Sequence, residues 1–224
     1  MENTNIKSDN DEIVDIPVPP FSSYEEILIL YRKFIEGKVD SVPTHLGHLE
    51  EESAAIVNHL LKINSLGVLS IDSQPGSILQ IQHTELMHRG EICNVTDLES
   101  KQRAYLECLL PKKLFKKLQK GLLSSEFILF YERISELGVE PEYIHHIPVT
   151  ITSYLYGDKK YQLAETTLPV GIFLWGDSLD IIMSSTEDEN KKNISKDMYS
   201  VRILDPIWGR LDYLFVKIIE VLSR

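Results

Sequence analysis

The hydrophobic period changes along this chain, and the change limits what the chain can fold into. Near the start the apolar residues recur at helical spacing: Ile27, Tyr31 and Phe34, with Leu28 and Ile35 beside them. That stripe belongs to a helix lying on a core. From residue 147 the pattern is that of strands, with Val149, Ile151 and Tyr154 before a Gly157–Lys160 turn and Tyr161, Leu163 and Thr166 after it. A last helical stripe, Leu211, Leu214, Phe215, Ile218, Ile219 and Leu222, closes the chain. Helices first, then a β meander and a closing helix, argue for an α+β fold over a doubly wound parallel sheet. The 224 residues fit one large domain or two small ones. The short connections favour a single mixed domain over a division near 140–147, with N-terminal helices, an antiparallel sheet and a closing C-terminal helix.

Local signals place the elements. Ser22 with Glu25 and Ser23 with Glu26 form overlapping capping boxes at the first helix, and Gly37 suits its left-handed end. A second helix is expected at about 49–64, with Glu50, Glu51 and Glu52 in its first turn. Val68–Ile71 reads as a strand, Gln74–Ser77 as a Pro-Gly turn and Ile78–Ile81 as the returning strand of a hairpin. A helix is expected at about 98–110, and another from Pro111 with Leu114, Phe115 and Leu118 inward and Gly121 after its end. Phe127–Tyr131 reads as a strand or a helix. Gly171–Trp175, Leu179–Met183 and Tyr199–Leu204 read as strands, and Asp205-Pro206 as the start of the last helix. Residues 1–20 read as a flexible N-terminal tail, 21–224 as the domain and 184–198 as a mobile surface loop.

Composition removes several function classes. With 43% hydrophobic and 25% charged residues the chain is no disordered polymer. A net charge of −11 (23 − 34) disfavours nucleic acid as a partner. Lys112, Lys113, Lys116, Lys117 and Lys120 are a local exception, read first as a solvated helix face. Two cysteines exclude a disulfide scaffold and a four-cysteine zinc site, so Cys93 and Cys108 are expected as free thiols. No leader and no apolar run of about 18 residues is present, which points to a cytoplasmic protein without membrane contact, a nuclear one being equally compatible. There is no GxGxxG, Walker A, C-x-x-C or G-x-S-x-G pattern. His83, Glu85 and His88 lack zincin spacing, and His145 and His146 point apart in a strand. No metal and no cofactor are therefore expected.

Three blocks carry a resemblance: Ile63–Gly76 (INSLGVLSIDSQPG), Lys101–Cys108 (KQRAYLEC) and Val201–Phe215 (VRILDPIWGRLDYLF). Their order resembles a domain-of-unknown-function family of actinobacteria and large DNA viruses. There an SQPG block, a QRA-x-x-E block and a DP-x-WGR block recur in that sequence. The resemblance spans about 25–222 and implies a shared fold and a shared polar set: Ser73, Gln74, Gly76, Gln102, Arg103, Glu107, Asp205, Trp208 and Arg210. It implies no activity.

Each member of that set has a structural and a functional reading. Gln74-Pro75-Gly76 is a sufficient turn, or a rigid corner offering N–H groups to a ligand. Arg103 pairs with Glu99 or Glu107 along a helix, or grips an anion. Asp205 caps a helix, with Trp208 packed over its start, and Arg210 in the first turn needs a carboxylate or an anionic ligand. The leading expectation is a small anionic-ligand, nucleotide-like binding domain or a hydrolase-type enzyme. In it Arg103 and Arg210 hold the anion, Gln74 and Gln102 orient the ligand, Trp208 offers a stacking face, and Ser73 and Gly76 complete the ligand-binding set. Asp205 and Glu107 serve as acid or base. The alternative is a non-catalytic protein–protein interaction module using the lysine helix and the 184–198 segment.

Overall fold

The first helix, α1 (Tyr24–Ile35), begins as its serines dictate. Ser23 Oγ accepts the Glu26 N–H at 3.3 Å, while the Glu26 carboxylate accepts from the Ser22 N–H at 2.8 Å and the Ser22 hydroxyl at 2.6 Å. Ser23 thus caps one orphan donor of the helix start, while Ser22 binds Glu26 and not the expected Glu25. Gly37 follows with φ +68°. The expected second helix is divided into a 3₁₀ segment, Glu51–Ile56, and α2 (Val57–Ser65). The computed structural model describes residues 20–45, 47–88, 90–133, 144–171, 182, 184, 186 and 188–224. The tail read at 1–20, except Pro20, and most of the strands read at 171–175 and 179–183 lie outside the described residues.

A curled antiparallel sheet of seven strands is built on one long strand. In chain order the strands are β1 (Leu69–Gln74), β2 (Ser77–His88), β3 (Glu91–Pro111), β4 (Ile128–Arg133), β5 (Ile144–Tyr156), β6 (Lys159–Gly171) and β7 (Met198–Trp208). The remaining helices are α3 (Lys112–Leu122), α4 (Asp188–Ser195) and α5 (Tyr213–Ser223). β3 is the spine. β1 and β2 do not form a hairpin with each other; both pair with β3, in one register from Asp72 onward, Gln74 opposite Tyr105 and Ser77 opposite Gln102. Residues 69–88 therefore run along one edge of β3 as a single strand broken at Pro75-Gly76. The real reversal lies at Gly90 (φ +88°), between β2 and β3. The other edge of β3 is shared, Thr96–Gln102 pairing with β5 and Arg103–Pro111 with β7. β6 extends β5 and β4 extends β7. The sheet thus divides into two wings, β1-β3-β7-β4 and β2-β3-β5-β6, which meet near residues 102–103 of β3.

The helices pack on one face of the first wing. Ala104, Leu106, Cys108 and Leu110 of β3 and Val201 and Ile203 of β7 meet Ile27, Tyr31, Leu60, Ile63, Phe115, Leu118, Phe215 and Ile218 there. This explains why 98–110 is a strand where a helix is expected. All of Ala104–Leu110 is buried, the charged Glu107 included, and a strand covered on both faces has no inward–outward alternation to read. Its Ala, Leu, Glu, Gln, Lys and Arg also favour helices intrinsically.

Two further boundaries differ. Asp188–Ser195 is a helix inside the segment read as a loop, anchored by Ile194, which is buried in the core. β7 continues through Pro206 to Trp208, so Asp205 is no helix cap and α5 begins only at Tyr213. Gly121 lies within α3, where a Cβ would come within 2.4 Å of Val221 on α5. It permits close helix approach and does not end the helix.

Candidate ligand site at the junction of the two wings

The three sequence blocks meet where the wings join. The ladder between β1–β2 and β3 is open at Pro75-Gly76, and the chain leaving β7 fills the opening. Gly209 N–H donates to the Gln102 carbonyl at 3.0 Å, and Gly76 N–H donates to the Leu211 carbonyl at 2.9 Å. A Cβ on Gly76 would lie 2.9 Å from the backbone nitrogen of Arg210 and 3.2 Å from that of Leu211. Gly209 has φ +76°, and a Cβ there would come within 2.5 Å of Ile78. Gly76 is required by close approach of backbone, and Gly209 by its positive φ and by the Ile78 side chain against it. Gly76→Ala is expected to cost about 1–3 kcal/mol, the usual range for overpacking a closed site; urea unfolding with an unchanged m-value checks it.

The polar side chains of the junction are bound to its backbone. Gln74 is buried; its Nε2 donates to the carbonyls of Arg103 (3.1 Å) and Val149 (3.4 Å), and its Oε1 accepts from Thr150 Oγ1 at 3.4 Å. One amide thus ties β1, β3 and β5 together. Gln102 points to the other face, accepting from Ser77 Oγ and donating to Glu52 at 3.0 Å. Ser73 pairs with Leu106 and lines a separate small cavity under α1 with Tyr31, His45, Glu52 and Asp72. It stands apart from the other block residues.

Charged side chains are also matched. Asp205 is fully buried, and its Oδ1 accepts the Ile207 N–H at 2.9 Å and Arg210 Nη2. Its Oδ2 accepts Arg210 Nε at 2.8 Å. Arg210 Nη1 reaches Glu126 at 2.7 Å, and the guanidinium lies 4.5 Å from the Tyr213 ring. These two carboxylates raise the Arg210 pKa and supply the partner that its position demands. Glu107 holds Arg202 Nε at 2.9 Å, with both side chains 7% exposed. Burial raises the Glu107 pKa, and Arg202 opposes the rise. Beside them the Tyr105 hydroxyl donates to Asp72 at 2.8 Å. Among the residues that sequence reasoning missed, Arg202 and Asp72 sit inside the quoted blocks, but only strand pairing shows that they flank Glu107.

Arg103 differs. Its Nη1 donates to the Pro148 carbonyl at 3.1 Å, its guanidinium carbon lies 4.1 Å from the Trp208 ring, and its buried Nε has no hydrogen-bond partner. Glu99, Lys101, Arg103, Tyr105 and Glu107 alternate onto one face of β3, opposite the helices. At the second-wing end of this face a groove of about 230 Å³ is lined by Glu99, Lys101, Ile151, Ser153, Lys160, Gln162 and Trp208. Lys101 pairs with Glu99 at 2.7 Å. Lys160 forms no ion pair within 4 Å among the described residues. Sequence reading found Trp208 and Arg103 but not Lys101, Lys160, Ser153 or Gln162, because the β3–β5–β6 register brings them together.

Among the described residues no group of three His, Cys, Asp or Glu side chains could hold a metal ion, and no helix is long and apolar enough to cross a membrane. Among curated proteins none matches the chain. Over residues 22–224 it matches the family described as Domain of unknown function (DUF6919), with one α+β domain closed by a C-terminal helix, and the chain belongs to that family.

Proposed function

We propose that the protein binds a small anionic ligand carrying a flat ring, nucleotide-like in its chemistry, in the groove beside Trp208. The observation that carries this reading is the pairing of an aromatic face with cations in an otherwise acidic chain: Trp208, Lys101 and Lys160 line one groove, and Arg103 lies against the indole. The ring stacks on Trp208, and the anion meets the Lys160 ammonium, since Lys101 is held by Glu99. Ser153 and Gln162 offer hydrogen bonds to the remainder. Arg210 is removed from the ligand set because Asp205 and Glu126 occupy its guanidinium. Asp205 and Glu107 act here as counter-charges within the fold, so the proposal is of binding without a reaction.

Thermal shift and titration calorimetry with nucleoside mono- and diphosphates test it. A ligand at 100 times its Kd is expected to add about 2.7 kcal/mol of stability. Lys160→Glu is expected to abolish the shift. Trp208→Leu is expected to weaken nucleotides while leaving inorganic phosphate unchanged. Affinity should fall with added salt, since the charges are partly exposed. Absence of any shift from nucleotides or sugar phosphates would overturn the proposal.

A further inference from the structure

Four strands have an edge without a ladder partner among the described residues: β1, β2, β4 and β6. Three of these edges carry the usual protection. β1 and β4 have six residues each, and β6 carries Lys159, Lys160 and Pro169. Short length, lysine and proline all discourage a second strand from adding. β2 has twelve residues, Ser77–His88, with no lysine and no proline. Between Ser77 and Met87 its only formal charge is Glu85, and every side chain there is half-exposed or exposed. Ile78, Leu79 and Met87 are 53%, 52% and 68% exposed.

The order of residues along β2 is self-complementary. Read from either end, Ile78–Met87 begins with two apolar residues and then a polar one, Gln80 or Glu85, and only Ile81 interrupts the polar middle. The two halves also share faces. Asp97 on β3 has φ 48° and lies at a register shift of the β3–β5 ladder, so that Val95 and Leu98, three residues apart, face one cluster. Ile81 and Leu86, five positions apart, consequently pack on the same cluster of Cys93, Val95 and Leu98. Ile78 and Met87 then share the opposite face.

We propose that β2 is the contact of a symmetric homodimer, pairing antiparallel with β2 of a second copy about a two-fold axis between Gln82 and His83. That arrangement sets Ile78 against the partner's Met87 and Leu79 against the partner's Leu86. Gln80 faces the partner's Glu85, and Ile81 faces the partner's Thr84. Apolar residues meet apolar ones at both ends of the pairing, and polar residues dominate its middle, as cross-strand neighbours should. A second copy fits better than an unrelated strand because only a matching palindrome places both apolar ends together. The contact is isologous, so each copy uses up its open edge and assembly stops at two.

Sedimentation velocity and equilibrium on the full chain, without ligand, test this. The expected result is a concentration-dependent dimer and no larger species. Gln80 is exposed and faces a carboxylate twice per dimer. Gln80→Lys is expected to tighten the dimer and Gln80→Glu to loosen it, each by about tenfold in Kd. Circular dichroism confirms that both variants are folded. The proposal is overturned if the wild-type chain stays monomeric to about 1 mM, if larger oligomers form, or if the two variants leave Kd unmoved or move it in the same direction.

Discussion

Arg202→Met is expected to lower folding stability by about 3–5 kcal/mol, the cost of leaving one member of a buried ion pair without its counter-charge. Glu107 and Arg202 face each other across β3 and β7, both 7% exposed. Removing Arg202 leaves the Glu107 carboxylate beside Asp72, which is opposite it on β1. Removing both charges should behave differently. A buried pair replaced by apolar groups of similar volume is often close to neutral. Glu107→Leu with Arg202→Met is therefore expected to recover a large part of the single-variant loss in urea unfolding. Simple additivity of the two single losses would contradict this account.

The pH dependence gives a second readout of the same pair. Burial raises the Glu107 pKa above the ordinary carboxylate value. The native state therefore keeps that proton to a higher pH than the unfolded chain does. The contribution of this group is complete below the ordinary carboxylate pKa and is lost as pH rises through the raised value. Without Arg202 the Glu107 value rises further. The deficit of Arg202→Met is accordingly expected to shrink as pH falls toward the ordinary carboxylate range, where Glu107 is neutral in the variant.

What the sequence disclosed depended on whether a signal was local. The Ser23 cap of α1, the Gly157–Lys160 reversal and the strand at 199–204 are set by neighbouring residues, and they stand as read. Pro75-Gly76 was misleading because the local signal is real but used otherwise. Its glycine is needed for the approach of Arg210 and Leu211, more than a hundred positions away, and not for a hairpin. The block Lys101–Cys108 is a strand and not the expected helix because the burial of both faces of Ala104–Cys108 is a tertiary fact. The three blocks do come together, which their order alone could not establish. Their partners were hidden for the same reason: Asp205 binds Arg210 five residues on, but only because a strand, not a helix, runs through Pro206. The groove lysines belong to β3 and β6 and become neighbours through β5.

Arg210→Met separates the structural from the ligand role of the third block. Asp205 is fully buried and has two of its hydrogen bonds from Arg210. Loss of the guanidinium leaves that carboxylate with the Ile207 N–H alone. A cost of about 3 kcal/mol is expected, at the lower end for a broken buried pair because Arg210 is itself 24% exposed. Arg210→Lys keeps the charge but not the fork that binds Nε and Nη2 together, so it should fall between wild type and Met. The same change frees the segment after β7 from Glu126 and from Asp205. Amide exchange at Gly76 and Gly209, whose N–H groups bond across the opening in the ladder, should then speed up more than exchange in α1. Ligand affinity gives the decisive contrast. If Arg210 only secures the crossing, folded Arg210→Lys protein binds nucleotides as wild type does, whereas Lys160→Glu does not. Loss of affinity in Arg210→Lys with native amide protection would return Arg210 to the ligand set and move the binding site from the groove to the junction itself.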